Sequence, residues 1–237
     1  MKSILRNILS ESMFNYLRNL YYNYLDGSSF KSYSSEGEDM ILKKIFYRQD
    51  KGFYLDIGAF HPKKASNTYF FYKRGWSGIN IDAMPGSMIL FNKFRKRDIN
   101  IEVPIGKDGQ FVNYFEFEDK SLNGFESESL KAKDQNKSQN RLKRVHQLKC
   151  KSLNSILDDF LPPNQTIDFL SIDVEGQEFT VLESFDFDKY SPIWILAEIL
   201  DFSFRSSVSN SLDMLLMANG YQVRAKTLNT VFYYRPL

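Results

Sequence analysis

The sequence predicts an α/β fold, a mostly parallel sheet with a C-terminal antiparallel strand pair, and three observations carry the prediction. Short apolar runs alternate with helical stretches between residues 52 and 220, the rhythm of a parallel sheet covered by crossover helices. Acids recur at the carboxyl ends of those runs: Asp56, Asp82, Asp173 with Glu175, and Glu198. The chain then closes on "YQVRAKTLNTVFYYRP", two β-rich runs around "LN" that read as an antiparallel hairpin.

Residues 1 to 30 form a helical extension, crowded with aromatics in "MFNYLRNLYYNYL" and ended by the turn-prone "DGSS". A single domain over 31 to 237 follows. It starts with the helix "SSEGEDMILKKIF" (34 to 46), acidic at its beginning and basic near its end, as the helix dipole favours. Next come apolar "GFYLDIGAF" (52 to 60), helical "SNTYFFYKRG" (66 to 75), apolar "SGINIDA" (77 to 83), helical "PGSMILFNKFRKR" (85 to 97) and apolar "INIEVPIG" (99 to 106). "QFVNYFEFE" (110 to 118) alternates as a strand does. Residues near 119 to 150 read as a charged, solvated insertion, because Glu126 to Lys151 holds eight basic and three acidic residues with almost no aromatics. The rhythm resumes with "SLNSILDDFL" (helix), "TIDFLSIDVEG" (strand), "QEFTVLESF" (helix), "PIWILAEIL" (strand) and "SNSLDMLLMANG", a helix closing on a glycine C-cap. No internal repeat is visible.

Composition narrows the function. A formal charge of +2 with 25% charged residues lacks the basic excess of a dedicated nucleic-acid binder. The single cysteine, Cys150, excludes an intramolecular disulfide framework and a cysteine-built zinc site, so a reducing cytoplasm is the expected location. No apolar run approaches the ~20 residues of a spanning helix, and "MKSILRNILSESMF" has too short a core for a signal peptide. The aromatic N-terminal helix reads as a packing or homo-oligomer surface ahead of a peripheral membrane anchor, its lysine and arginine content being low for lipid attraction.

The opening of the first strand, "YLDIGAFH", sets the chemical question. An open parallel sheet binds ligands beyond the carboxyl ends of its strands. Any one acid there has a plain alternative as a helix cap or solvated strand end; acids at four strand ends point to a site. A dinucleotide pyrophosphate needs several glycines bringing backbone N–H groups close, whereas "DIGAFHPKK" offers Gly58 followed by Phe60 and Pro62. NAD is therefore disfavoured. S-adenosylmethionine carries no phosphate, so one close approach at Gly58 suffices, and Asp82 at the next strand end is placed to accept the ribose hydroxyls.

"GFYLDIGAFHPKKASNTYFFYKRGWSGINIDAMPGSM" together with "IDFLSIDVEGQEFTVLESFD" resembles the FkbM-type family of S-adenosylmethionine-dependent O-methyltransferases, from about Ser34 to Glu198. The resemblance implies the class I methyltransferase (Rossmann-like) fold. It also implies that Asp56, Gly58 and Ala59 line the methionine and ribose side, that Asp82 with Ala83 binds ribose, and that Ile105 and Gly106 border adenine. Family members commonly methylate hydroxyls of sugars or natural products, so the implied partner is a sugar or glycan acceptor of surface polysaccharide, with no nucleic acid.

A sugar hydroxyl is a poor nucleophile at neutral pH and needs help in losing its proton. His61, Asp173, Glu175 and Glu198 are the catalytic candidates. His61 is the expected general base, its ordinary pKa lying near neutrality, and no metal is expected. The other route has Asp173 with Glu175 or Glu198 holding a divalent cation, while the same acids could simply hydrogen-bond sugar hydroxyls. Two further classes stay open: a methyltransferase of another acceptor such as a small natural product or RNA, and a catalytically silent binding module.

Overall fold

A computed structural model describes residues 8–25, 29–118, 123–125, 141–199 and 211–236. The chain divides after Ser32 into two units. In the first, α1 (Glu11–Tyr24) starts at Ser10, whose hydroxyl accepts from the Met13 N–H, and none of its residues is buried.

The second unit holds the sheet. Along the chain, α2 (Glu38–Ile45) leads into β1 (Phe53–Ile57), α3 (Tyr69–Lys73), β2 (Ser77–Asp82), α4 (Met88–Phe94) and β3 (Ile99–Glu102). There follow β4 (Phe111–Phe117), β5 (Gly124–Phe125), β6 (Leu142–Lys149), α5 (Leu153–Phe160) and β7 (Phe169–Ile172). The remainder is α6 (Glu178–Leu182), α7 (Phe187–Tyr190), β8 (Trp194–Glu198), α8 (Ser211–Ala218), β9 (Gln222–Lys226) and β10 (Thr230–Tyr234).

Seven strands pair in the order β3-β2-β1-β7-β8-β10-β9. The first five are parallel, and β10 alone runs against them, paired antiparallel to both β8 and β9. Strand order reverses between β1 and β7, which is where such sheets open a crevice at their carboxyl edge. The expected parallel sheet with its terminal hairpin is thus the observed one.

The insertion departs from expectation. Leu142–Lys149 is a strand, paired antiparallel with β4, and with β5 it makes a separate three-stranded sheet. Its charges hid it: "LKRVHQLK" lies mostly exposed, so no apolar alternation marks it. Residues 126–140 lie outside the described residues.

Alternation along the strands builds two cores. Phe53, Leu55 and Ile57 of β1 join Leu170, Ile172, Ile195 and Ala197 on one face, under α5, α6 and α8. Tyr54, Phe169, Leu196 and Phe232 face the other way and meet Leu42, Phe46, Phe71 and Trp76, an aromatic cluster with ring centroids 4.8 to 6.1 Å apart. Asp56 belongs to this second face, in register with Asn80 and Ser171.

A fully buried guanidinium serves that polar row. Arg95 Nε donates to Asp98 at 2.8 Å, Nη1 to the Pro62 carbonyl at 3.0 Å, and Nη2 to the hydroxyls of Tyr54 and Thr68 at 2.8 Å each. Thr68 in turn donates to Asp56 at 2.8 Å. Asp98 collects Tyr54 Oη, Asn80 Nδ2 and the Gly78 N–H as well. Removing one member of a buried ion pair strands the other, typically at about 3–5 kcal/mol. Arg95→Leu should therefore lose stability on that scale in urea denaturation, and a midpoint like the wild type's would refute the anchoring role.

Candidate active site

At the carboxyl edge of the sheet lies a cavity of ≈720 Å³, within the roughly 300–1,000 Å³ usual for small-molecule sites. Gly58 follows β1, Asp82 to Met84 close β2, Val103, Ile105 and Gly106 follow β3, and Asp173 to Glu175 follow β7. Tyr114 of β4, Asn123 just before β5 and Phe125 of β5 wall the remaining side. Among the described residues of this wall there is no lysine, arginine or histidine.

The wall is tied together by backbone. Gly58 and Ala59 N–H donate to the Ile81 carbonyl at 2.9 and 3.1 Å, and Asp173 N–H donates to the Ile57 carbonyl at 3.0 Å. Gly58 has φ +78°, and a Cβ built on it would sit 1.8 Å from the Asp173 carbonyl oxygen. Its glycine is required by the β7 loop packed against it, a reason distinct from the close cofactor approach expected from the sequence. Gly106 is pressed by Cys150 in a milder way, Sγ lying 3.0 Å from the place a Cβ would take.

Of the anticipated residues, Gly58, Asp82, Ala83, Ile105, Gly106, Asp173 and Glu175 lie on the cavity wall. Asp56, Ala59, His61 and Glu198 do not. Asp56 is buried behind the wall, its pKa pushed up to about 6 by burial against the opposing Thr68 hydrogen bond and Arg95 charge. Ala59 packs with Met88 and Phe91. His61 turns to its own loop, its Nδ1 accepting from the Lys63 and Lys64 N–H groups at 3.0 Å each.

Asp82 receives the Met84 N–H on Oδ1 at 2.8 Å and the Phe60 N–H on Oδ2 at 2.9 Å. Each carboxylate oxygen can accept twice, with the Ser87 hydroxyl a further donor beside them. Burial nevertheless raises its pKa.

Beside the cavity, carboxylate oxygens of Asp173, Glu178 and Glu198 lie within 4.8 Å of one another, a group that could hold a cation. Glu178 also caps the turn before α6, accepting from the Val174 and Gly176 N–H groups. Asp173 opens onto the cavity while protein crowds around it, and burial, then Glu198, Glu175, Glu178 and Asp56, push its pKa up to about 8. Glu198 is raised too, by burial and by Glu175, Glu178 and Glu36, and shares a hydrogen bond with Asp173.

Sequence reasoning missed Glu178, Tyr114, Asn123 and Phe125. The alternation of "QFVNYFEFE" marked a strand but gave no sign that it would cover the ligand space. Asn123 locks that cover, accepting from Phe117 N–H at 2.8 Å and approaching Met84 Sδ at 3.0 Å.

A reversed parallel sheet closed by one antiparallel strand, with an acid at the end of β2 over a glycine-poor cavity, defines a class I methyltransferase fold. The Methyltransferase FkbM domain matches residues 56–223, and the chain belongs to that family. A search of curated proteins found no match. Among solved structures, a Klebsiella pneumoniae protein described as a candidate O-methyltransferase aligns over 99% of this chain and 95% of its own, at 8% identity and a TM-score of 0.36. No described helix is long and apolar enough to cross a membrane.

Proton linkage makes the acid cluster measurable. Asp173 has an ordinary value of 3.8 and rises to about 8 when folded. Between those values the folded state holds a proton that the unfolded chain has released, so stability falls as pH rises from about 4 to about 8. In chelator-containing buffer, Asp173→Asn should flatten this decline, matching the wild type near pH 4 and melting higher at pH 8. Parallel melting curves would dismiss the shift.

Proposed function

We propose that the protein is an S-adenosylmethionine-dependent O-methyltransferase acting on a sugar hydroxyl, in the building of a surface polysaccharide or glycan. The observation that carries the cofactor is the donor set of the cavity. A phosphate-bearing dinucleotide asks for clustered N–H groups or cations, and the described wall offers one glycine at the first strand end and no cationic side chain. A ribose needs an acceptor for two hydroxyls, and Asp82, which can accept twice on each oxygen, serves Met84 and Phe60 once each. The residues present therefore fit this cofactor.

When bound, S-adenosylmethionine supplies a methyl group activated on a sulfonium. Asp82 would hold the ribose, and Val103, Ile105 and Gly106 would flank the base. Acids without a cationic partner on the described wall would favour the positive sulfur. Tyr114, Asn123 and Phe125 would exclude water from one side.

The acceptor must lose a proton, and we assign its reception to Asp173, backed by Glu198, in place of His61. A group titrating near the working pH is effective as a general base, and Asp173 is the carboxylate whose surroundings place it there. The sugar rests on the family's acceptor class, supported by hydroxyl-seeking groups on the wall such as Gln110, Asn113 and Gln177. A small natural product or RNA in that role, or a silent module, is an outcome the assays below can return.

The three-carboxylate group favours a second reading, in which a divalent cation held by Asp173, Glu178 and Glu198 lowers the hydroxyl pKa. Activity lost to a chelator and restored by magnesium or manganese would establish that reading; unchanged activity would leave Asp173 as base.

Two measurements test the whole proposal. Asp82→Ala should lose about 2–4 kcal/mol of S-adenosylmethionine binding in calorimetry, the scale of charge-assisted hydrogen bonds; unchanged affinity in a folded variant would remove Asp82 from the site. Mass spectrometry of surface glycan from matched strains with and without the gene should show loss of a methyl group, and identical glycans would overturn the sugar assignment.

A further inference from the structure

The loop from Gly58 to Thr68 gives the cavity Gly58, Phe60 and Ala65. Phe60 and Ala65 both have left-handed backbones, at φ 52° and 50°, a conformation that residues with a Cβ resist. Such geometry persists only where the surroundings over-determine it. The ends of the loop are well tied. Phe60 N–H donates to Asp82 at 2.9 Å, Ser66 N–H to the Tyr33 carbonyl at 3.0 Å, and Arg95 Nη1 to the Pro62 carbonyl at 3.0 Å.

The middle of the loop is held by His61. Its Nδ1 accepts from two successive backbone donors, Lys63 and Lys64, each at 3.0 Å. Two N–H groups aimed at one ring nitrogen mark that nitrogen as unprotonated and place the proton of the neutral ring on Nε2. The lone pair that a general base would use is thus committed to the loop's own backbone. The side chain also lies off the cavity wall.

From this geometry we infer that His61 is a positioning residue, its imidazole capping the Pro62–Ala65 turn and so holding Phe60 and Ala65 against the cofactor cavity. The inference rests on the reading of that cavity as the S-adenosylmethionine site. Arg95 holds the same turn through the Pro62 carbonyl. A side-chain oxygen on asparagine can accept from N–H groups two and three residues on, as in Asx-turns and helix caps. It cannot take up a proton near neutrality.

The test compares the wild type, His61→Ala and His61→Asn at pH 8, by calorimetry with S-adenosylmethionine and by amide hydrogen exchange of residues 60–66 without it. His61→Ala should weaken binding about fivefold, the scale typical of losing a cap, and speed exchange in the loop. His61→Asn should restore most of both. The inference is overturned if His61→Ala binds and exchanges as the wild type does, or if His61→Asn behaves like His61→Ala. A wild type that binds no S-adenosylmethionine would instead defeat the proposed function, while loop exchange in the three proteins still reads the cap by itself.

Discussion

A guanidinium shut away from water must find its hydrogen bonds inside the protein, and the way Arg95 meets this demand organises the β1 side of the fold. Four of its hydrogen bonds reach Asp98, the Pro62 carbonyl and the hydroxyls of Tyr54 and Thr68. Those partners belong to β1, the loop after it, and the turn after α4. One side chain therefore sets the relative position of the first strand, its outgoing loop and the helix that follows β2. The acid in β1 is a consequence: Asp56 is tolerated in a buried row because Thr68 donates to it and Arg95 stands behind Thr68. Its work is done behind the wall.

At the other side of the site the electrostatics run the opposite way. Asp173, Glu175, Glu178 and Glu198 gather at the ends of β7 and β8, and burial together with mutual repulsion lifts Asp173 and Glu198 above their ordinary values. Stability alone would not select such a group, since ionisation of Asp173 or Glu198 works against folding. Carboxylates that suffer this arrangement are suited to receiving positive charge. The buried Arg95 network pairs its charges with hydrogen bonds and the acid cluster sets like charges against one another.

The sheet was legible because its strands are bounded by glycine, proline and acids and separated by stretches of helical period. The site was legible only in part. Asp82, Ala83, Ile105, Gly106, Asp173 and Glu175 line the cavity because strand ends converge on one edge, and that follows from topology. Asp56 and Ala59 flank Gly58 so closely in sequence that spacing cannot separate wall from support; which of them faces the cavity depends on strand pleat and the turn at Gly58. His61 attracts notice by its titration, whereas its place is fixed by two backbone donors of its own loop. Lys143 and Arg144 disguised β6 as a solvated segment, since an edge strand outside the main core has little apolar surface to reveal its period. Glu178 escaped notice because its carboxylate reaches back to the turn that precedes its own helix.

The contact between Gly58 and the Asp173 carbonyl has an evolutionary meaning. The missing methyl at one position is the space occupied by the main chain of the other, and no choice of side chain at Asp173 can relieve the clash, because the offending atom belongs to the backbone. The "DIGA" and "IDVEG" segments, far apart along the chain, are therefore inherited as a single unit of shape. Shape alone fixes the glycine of the first segment, whereas only chemistry can fix the acids of the second.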